Sequence, residues 1–254
     1  NAEERVRGLL PQGVRSAVFG TLGRVYPKLD WAPQMLRAKA TFAALGRSGE
    51  EAYADAVGVT PRPLRALLYS DRGRRELQGY RAEDRYIKTM QGAPARCGLD
   101  RAQYADMKIW LPGDILTKVD RTSMAVSLEA REPLLDYRLI EFGARLPVSM
   151  RVRGSTGKWL MKQAMRRYLP DDILFRRKMG FVTPISAWFR GPLAGEAKRI
   201  AHGSALTETG WFDPAAIEKV VAEHHSGLVE HGRLLWQLMM LDRSLGHLFG
   251  GARG

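Results

Sequence analysis

The sequence predicts a predominantly α-helical protein, and three features support this prediction. Apolar residues recur at steps of three and four along most of the 254 residues, which is the period of a helix with one buried face. No region alternates apolar and polar residues as a half-buried strand does. Helix start signals are also present, above all Asp213-Pro214, an N-cap residue followed by a proline at the first helical position.

The first 99 residues are predicted to form short amphipathic helices. Pro11 and Gly13 divide the first of these helices, since neither residue suits a helix interior. Apolar residues at helical spacing define the others. The predicted helices span Ala2–Pro27, Trp31–Leu45, Glu50–Val57, Arg62–Tyr69 and Arg72–Gln78.

The remaining residues are predicted to be helical with two interruptions. Helices are expected over 100–116, over 136–144 and over 157–168, whereas 148–156 is expected to be extended or looped and 171–184 irregular. The last helix carries leucines at steps of four and three. We interpret this stripe as a core face rather than a zipper, because a coiled coil needs more heptads. The stripe consists of Leu234, Leu238, Leu241, Leu245 and Leu248.

The charge balance is strongly basic, since 40 Lys and Arg against 27 Asp and Glu give a formal net charge of +13. Such a surplus suits nucleic acid, an anionic membrane surface or a small molecule that carries polyphosphate. An arginine-rich composition without any such partner explains the surplus equally well, because the basic residues are spread along the chain. The charge alone leaves these alternatives open.

The composition also bears on the compartment. No run of 18 apolar residues occurs, so no membrane span is expected. Cys97 is the single cysteine, which excludes an internal disulfide and agrees with a reducing cytoplasm. The sequence begins with Asn and shows no basic-then-apolar leader. We therefore predict a cytoplasmic protein without a signal peptide, and we interpret the chain as a piece of a longer one.

Residues 111–136 (LPGDILTKVDRTSMAVSLEAREPLLD) place eight formal charges within an apolar run that suits a buried helix. Buried charges are costly unless they are paired or hydrogen-bonded. This charged block therefore predicts either a buried ion network or a functional site, and its spacing alone does not separate the two. The charged residues are Asp114, Lys118, Asp120, Arg121, Glu129, Arg131, Glu132 and Asp136.

Helical spacing predicts how some of these side chains are arranged. Asp114 and Lys118 are four residues apart and are expected to share a helix face. Glu129 and Arg131 are two apart, so they are expected to diverge and bind different partners. Pro133 is expected to end the regular structure.

Three histidines, His224, His225 and His231, lie close together in the sequence. A metal site also needs suitable geometry and further ligands. We interpret these histidines as solvent-facing or capping residues and predict no metal site. Cys97 has no neighbouring histidine, so no nucleophilic triad is predicted either.

Two lysines are candidates for binding anions. Gly157-Lys158 looks like the end of a phosphate loop, but Trp159 stands where Ser or Thr is required, so that loop is rejected. Lys158 at a helix start can still meet an anion. Lys178 precedes Gly180 in an irregular segment, where a cation could stabilise negative charge on a phosphoryl or acyl oxygen. The alternative is a solvated basic turn.

A series of motifs resembles the synthetase domain of the glutamine-dependent asparagine synthetase family. The motifs follow the family's order over residues 100–249, and residues 1–99 fit its variable helical segment. Among its branches the chain is similar to amidotransferases associated with polysaccharide export or exosortase systems. The motifs are L-P-G-D at 111–114, K-V-D-R at 118–121, L-E-x-R-x-P-x-L-D at 128–136, Gly157-Lys158 with Leu160 and Lys162, R-K-x-G-F-x-x-P at 177–184 with Trp188, Phe212-Asp213, His224 with Gly227, and Leu235-Trp236.

The resemblance implies a fold and a reaction. The chain would be the C-terminal helical core, residues 100–254, and the preceding segment of an α/β adenine-nucleotide-hydrolase-like domain, the PP-loop ATP pyrophosphatase fold. That domain uses ATP and Mg²⁺ to adenylate a carboxylate, classically aspartate. Ammonia released from glutamine by an N-terminal glutaminase domain then displaces AMP and forms an amide.

The resemblance also implies roles for individual residues. Lys178 would be catalytic, stabilising charge during adenylation, and Lys158 would meet the ATP phosphates. The acceptor substrate would lie near Asp114, Lys118, Asp120 and Arg121. Three further residues of the charged block would hold that helix in place, namely Glu129, Arg131 and Asp136.

The sequence departs from the family in several ways. The PP-loop S-G-G-x-D-S, the acidic G-x-x-D-E segment that would hold Mg²⁺ and the glutaminase cysteine are absent from the 254 residues. Glu132 occupies a position that is usually apolar, and Lys118 often appears as arginine. We therefore predict that the chain has no synthetase activity by itself. The alternative is a non-catalytic basic helical module that binds a partner or a nucleic acid. If the chain is instead part of a synthetase, no nucleic-acid binding is expected.

Overall fold

The structure, a computed structural model, describes residues 7–26, 39–177 and 183–249. These residues are mostly helical, as the sequence predicts. No helix among them is long and apolar enough to cross a membrane. The α-helices are α1 (Gln12–Val25), α2 (Lys39–Leu45), α3 (Gly49–Val57), α4 (Arg62–Leu68), α5 (Asp71–Leu77), α6 (Ala82–Gln91), α7 (Gly98–Ala105), α8 (Thr117–Met124), α9 (Tyr137–Arg145), α10 (Val148–Arg151), α11 (Trp159–Met165), α12 (Asp171–Leu174), α13 (Ile185–Arg190), α14 (Ala194–Ala201), α15 (Ala205–Glu208), α16 (Pro214–His225) and α17 (Gly232–Phe249).

The predicted helix boundaries in the N-terminal third agree with the structure. Helix α1 begins directly after Pro11, the residue expected to interrupt the first helix. Helices α3, α4 and α5 lie within one or two residues of their predicted bounds. The predicted helix at Trp31–Leu45 is observed over Lys39–Leu45, and its earlier residues lie outside the described ranges.

The chain divides into two compact units. The first unit comprises Asn1–Pro11 and Tyr86–Phe181, and the second comprises Gln12–Arg85 and Val182–Gly254. The first unit contains the charged block, and the second contains the leucine stripe. The sequence-based division into a variable segment (1–99) and a helical core (100–254) follows the family resemblance and not the compactness of the fold. That division stays a prediction.

The second unit is built around an apolar core. The stripe on α17 supplies Leu234, Leu238 and Leu245 to this core, which confirms its interpretation as a core face for these three leucines, whereas Leu241 and Leu248 are exposed. Asp213 caps α16 by accepting a hydrogen bond from the Ala215 N–H at 3.0 Å, as Asp213-Pro214 predicts. The core consists of Leu68, Phe189, Ala197, Ile200, Ala201, Leu206, Ile217, Val220, Leu234, Leu235, Leu238, Met239 and Leu245.

Helices α4 and α5 join this core through backbone contacts. The Ser70 N–H donates to the Trp211 carbonyl at 3.0 Å, and the Asp213 N–H donates to the Leu68 carbonyl at 2.9 Å. Gly73 makes this approach possible, because a Cβ at that position would lie 2.2 Å from the Trp211 oxygen. A glycine is therefore required there by a close backbone approach.

A buried carboxylate links α14, α15 and α17. Asp242 accepts hydrogen bonds from the Arg199 guanidinium at 2.7 Å and from the Leu206 N–H at 3.0 Å. Burial alone would raise the pKa of Asp242, but these hydrogen bonds outweigh it and hold the pKa below its ordinary value. The buried charge is thus paired and hydrogen-bonded, as its burial requires.

Two of the three clustered histidines are buried, so the prediction that they face solvent or cap helices is wrong for these two. His224 is 1% exposed, and its Nδ1 accepts the His231 N–H at 3.1 Å. Its Nε2 lies 3.1 Å from the Ser186 carbonyl and must therefore carry the proton. His231 pairs with Glu223, Nε2 to Oε2, at 2.8 Å. These histidines connect α13, α16 and the start of α17 inside the second unit.

The first unit contains a continuous helical run over residues 98–124 whose middle is not α-helical. Residues Asp106–Leu116 form a π-helical segment between α7 and α8. Pro112 lies inside this segment, and the Thr117 hydroxyl donates to the Pro112 carbonyl at 2.7 Å. The sequence predicts one ordinary helix here, and the difference follows from proline, which cannot donate an N–H and clashes with the preceding turn.

A two-stranded hairpin follows α10, in the stretch that the sequence predicts to be extended or looped. Strands β1 (Val152–Arg153) and β2 (Thr156–Gly157) pair antiparallel. The Arg151 guanidinium, just before β1, bonds to the Gln103 side chain at 2.6 Å and to the Asp100 carboxylate. The hairpin is thereby fastened to α7.

Candidate functional site

The charged block lies on the surface of the first unit, and its eight charged residues are exposed or partly exposed. The prediction of a buried helix over the block, and with it the buried ion network, is therefore wrong. Helix α8 ends at Met124, and 125–132 is neither helix nor strand. Because these charges are accessible to solvent, a ligand can bind them, whereas it could not reach charges paired in a buried network.

The structure shows why the helix ends where it does. Ser127 has the left-handed backbone conformation, with φ +59°. The Leu128 N–H donates to the Ser123 carbonyl at 2.9 Å, and the Ser127 N–H donates to the Met124 carbonyl at 3.0 Å. This hydrogen-bond pair is the Schellman motif that terminates helices, usually with glycine at the left-handed position.

The charged residues of the block form short-range pairs. Asp114 and Lys118 share a helix face, as predicted, and the Lys118 Nζ lies 2.8 Å from the Asp114 Oδ1. The Arg121 Nη1 lies 3.5 Å from the Asp120 carboxylate. Because these pairs are exposed, each contributes little to stability, about 0–1 kcal/mol. The side chains are therefore free to exchange these partners for a ligand.

The end of the block differs from its prediction. Glu129 and Arg131 pair directly at 2.9 Å instead of diverging, because their segment is not helical. Pro133 begins a 3₁₀ turn (Pro133–Leu135) and does not end regular structure. Both predictions are wrong for one reason, namely the earlier helix end at Met124.

Asp136 caps the next helix. Its carboxylate accepts the Arg138 N–H at 2.9 Å and binds the Arg138 guanidinium through both oxygens at 2.9 and 2.8 Å. Hydrogen bonds from the Arg138 side chain and backbone hold the pKa of Asp136 below its ordinary value. This geometry gives Asp136 a structural part in starting α9, and the role of holding the helix of the charged block in place, which the resemblance implies, stays a prediction.

Lys158 precedes α11 in a left-handed conformation, with φ +56°. Its side chain is exposed, and no described carboxylate pairs with it. Arg153 on β1 stacks over the Trp159 ring, with the guanidinium carbon 5.1 Å from the ring centroid. Among the described residues, Lys158 is thus an unpaired cation beside a basic–aromatic stack.

Further basic side chains follow Lys158, one within α11 and one directly after it. Lys162 and Arg166 both lie over the Phe175 ring, at 5.2 and 5.1 Å from its centroid. Arg166 also reaches the Asp171 carboxylate at 3.2 and 3.3 Å. Arg166 was not among the predicted site residues, although Lys162 and Arg166 are four residues apart, the spacing that places side chains on one helix face.

The structure does not bring all the predicted site residues together. Lys178 lies outside the described residues, between Arg177 and residue 183. No hydrogen bond or ion pair within the described ranges joins Lys158 to the charged block. Among the described residues, no group of three or more His, Cys, Asp or Glu side chains could hold a metal ion.

Comparisons with known proteins identify the protein family of this chain. The family model of asparagine synthase matches residues 19–246. The chain therefore belongs to the asparagine synthase family, which confirms the resemblance found in its motifs. No solved structure gives a significant match.

Curated relatives agree with this assignment. A putative glutamine-hydrolysing asparagine synthetase from Mycobacterium tuberculosis (strain ATCC 25618 / H37Rv) is 36% identical over 142 residues, which cover 55% of this chain and 21% of that protein. The glutamine-hydrolysing asparagine synthetase 1 of Bacillus subtilis (strain 168) is 27% identical over 142 residues, 56% of this chain and 22% of that protein. The match thus spans about a fifth of the length of these relatives.

Proposed function

We propose that the chain is the C-terminal part of the synthetase domain of an ATP-dependent amidotransferase. In this reaction an oxygen of a carboxylate attacks the α-phosphorus of ATP, and pyrophosphate leaves. Ammonia derived from glutamine then attacks the acyl carbon of the adenylate, and AMP leaves. The observation that carries the proposal is the match of the family model to residues 19–246.

The charged block suits the acceptor side of this reaction. Lys118 and Arg121 are three residues apart on α8, so they share a face, and their side chains are 64% and 82% exposed. Two cations on one accessible face complement an anionic acceptor such as aspartate. Asp114 and Asp120 sit beside them and would orient the cations or the amino group of the acceptor.

The segment after the hairpin suits the phosphate side. Lys158 is exposed and unpaired among the described residues, and Lys162 follows it at helical spacing. We propose that Lys178 stabilises the charge that develops on the departing pyrophosphate. Glu129, Arg131 and Asp136 would hold the chain that leads away from α8.

ATP and Mg²⁺ are the cofactors that this reaction needs. Mg²⁺ prefers several oxygen ligands in octahedral geometry, and the described residues offer no cluster of that kind. We therefore propose that the donors for Mg²⁺, and the PP-loop and glutaminase segments, lie in further parts of a longer cytoplasmic polypeptide.

The test is glutamine-dependent release of AMP by the full-length protein, assayed against aspartate and other carboxylate acceptors. Lys178→Ala is expected to lower the rate by roughly 10²–10³-fold, because it removes one charge-stabilising group from the transition state. Lys198→Ala is the matched control, since Lys198 is an exposed lysine of the second unit. Near-normal turnover in Lys178→Ala would contradict the role of that residue.

The second candidate function is a basic helical module that binds a polyanion. The net charge of +13 favours it, and so do the arginines and lysines stacked on Phe175 and Trp159. Such a module would bind DNA with an affinity that falls steeply as salt rises, because binding releases counterions. Tight DNA binding with a steep salt dependence, together with no AMP release from the full-length protein, would favour the module over the synthetase.

A further inference from the structure

Helices α14 and α17 line an open cavity of about 350 Å³ within the second unit. Cavities of this size hold small molecules, which they bind through a few well-placed polar groups. The buried part of the lining includes Ser204 and Asp242, which are 2% and 3% exposed. The accessible part carries three basic side chains, namely Arg199 from α14 and Arg243 and His247 from α17.

Two carboxylates hold Arg199 in a fixed orientation. Its Nη2 donates to the Asp242 Oδ2 at 2.7 Å, and its Nε donates to the Glu196 Oε2 at 3.2 Å. The hydrogen bond from Arg199 is also the main cause that holds the pKa of Glu196 below its ordinary value. Because the guanidinium is already ordered, a ligand that binds it does not have to offset the loss of its rotational freedom.

Arg243 is attached to the same carboxylate as Arg199. Its Nη2 donates to the Glu196 Oε2 at 2.9 Å, so one oxygen atom holds two guanidinium groups. His247 follows Arg243 by four residues on α17 and shares its helix face. The three basic side chains therefore come together at one cavity although two different helices supply them.

This cavity has hydrogen-bond donors to spare and few acceptors. A guanidinium has five N–H donors, and an imidazole has at least one in either charge state. Within the described ranges, no acceptor bonds to the Arg199 Nη1, and of the Arg243 nitrogens only Nη2 is bonded. Both Asp242 oxygens, in contrast, already accept hydrogen bonds, from Arg199 and from the Leu206 N–H. The cavity therefore suits a ligand that supplies oxygen lone pairs.

Gly246 keeps the cavity open. It lies on α17 between Arg243 and His247 and lines the cavity, and a Cβ at this position would meet nothing within 4 Å. Glycine lowers the stability of a helix interior relative to alanine, and no close contact requires it here. The consequence of this glycine is free space beside two cations.

We propose that this cavity binds a small oxyanion, a carboxylate or a phosphate group, through Arg199, Arg243 and His247. The planar N–H donors of arginine match the oxygens of both groups, and charge-assisted hydrogen bonds are the strong ones. The inference rests on the geometry of the second unit alone, so it does not depend on the proposed reaction.

The test measures how fast phenylglyoxal, a reagent for accessible guanidinium groups, modifies Arg243 in the full-length protein. Inorganic phosphate and succinate are added separately, chloride keeps the ionic strength constant, and mass spectrometry quantifies the modified peptide. An anion that binds is expected to slow the modification about tenfold at about ten times its dissociation constant, because about a tenth of the sites then stay free. Arg233, an exposed arginine of α17 outside the cavity, is the control residue.

Two variants locate the effect in the cavity. Gly246→Leu fills the space and is expected to abolish the protection, while Gly195→Leu is its matched control, since Gly195 is a glycine of α14 with nothing within 4 Å of an added Cβ. His247→Ala replaces an exposed side chain and is expected to weaken the binding of the anion about tenfold, because one donor is lost. This second variant keeps the test decisive even if leucine at position 246 prevents folding.

The two anions distinguish the chemistry of the ligand. Protection by phosphate alone would identify a phosphate group, protection by succinate alone a carboxylate, and either result supports the proposal. The proposal would be overturned if neither anion protected Arg243, if Arg233 were protected to the same extent, or if protection were unchanged in His247→Ala. The arginines of the cavity would then serve only as an ion network that joins α14 to α17.

Discussion

At the scale of single residues, the stability of the second unit depends on a few positions where a close backbone approach or a hydrogen-bonded charge restricts which residue fits. Gly73 lets the Trp211 carbonyl approach, and Glu230 accepts hydrogen bonds at the junction of α16 and α17. Neither role is visible in the sequence, because each depends on a partner far away along the chain. The burial of His224 escapes sequence reasoning for the same reason.

Gly73→Ala is expected to destabilise the chain by about 1–3 kcal/mol, the usual cost of overpacking. The added Cβ would lie 2.2 Å from the Trp211 oxygen, so α5 must move. The free energy of unfolding in urea measures this loss. Gly195→Ala is the control, since Gly195 lies in α14 with nothing within 4 Å of an added Cβ. Equal stability of the two variants would contradict the close approach at Gly73.

Glu230 is expected to make stability pH-dependent in acid. Burial alone would raise its pKa, but hydrogen bonds from the Ser186 hydroxyl, the Gly232 N–H and Arg190 lower the pKa from 4.5 to about 2. A depressed carboxyl pKa stabilises the fold above pH 4.5, and this contribution is lost as the pH falls towards 2.

The measurement compares unfolding midpoints of wild type and Glu230→Gln between pH 7 and pH 2. The wild type is expected to be the more stable protein at neutral pH, and the two curves are expected to converge as the pH falls through that window. Glu141→Gln, an exposed glutamate on α9, is the control. A wild-type advantage that persists unchanged at pH 2 would disprove this linkage.

At the scale of elements, most helices follow from the sequence, and the exceptions have local causes. The spacing of apolar residues and the Asp213 cap locate α3, α4, α5, α16 and α17. The charged block resembles a continuous helix because Ser127, not glycine, takes the left-handed position that ends α8. A rule that searches for glycine at helix ends cannot find such a stop.

Ser127→Gly is expected to stabilise the chain by about 1 kcal/mol, because a left-handed conformation costs a residue with a Cβ roughly 1–2 kcal/mol. Ser127→Val is expected to act in the opposite direction, since a β-branched residue suits this conformation least. Urea unfolding of both variants measures the difference. If neither Ser127→Gly nor Ser127→Val changed the free energy of unfolding, the Schellman ending of α8 would be disproved.

At the scale of the whole molecule, the family and the helical character are confirmed, while the assembly of the site is still a prediction. The motifs of residues 100–249 are enough to indicate the asparagine synthase family, which the family model confirms. Sequence spacing does not reveal that the acceptor-side charges are exposed, because burial is a property of neighbours and not of spacing. Lys178, the residue with the central proposed role, lies outside the described residues.

Residues 1–254 alone are expected to release no AMP or pyrophosphate from ATP with any amino acid. The physical reason is that phosphoryl transfer from ATP needs a phosphate-binding loop, and the family's S-G-G-x-D-S motif does not occur in the 254 residues. A radiometric pyrophosphate assay, with the full-length protein as the positive control, checks this expectation. Turnover by residues 1–254 would show that this chain contains a complete site.

The π-helical segment has a geometric consequence for the acceptor side. A stretch with i to i+5 hydrogen bonding holds more residues per turn than an α-helix, so it sets the rotational phase between α7 and α8. Successive residues of an α-helix are separated by about 100° around the axis. Removing one residue from Asp106–Leu116 would therefore rotate Lys118 and Arg121 by about a quarter of a circle relative to α7. The direction in which these two cations face therefore depends on the π-helical segment upstream of them, which contains Pro112.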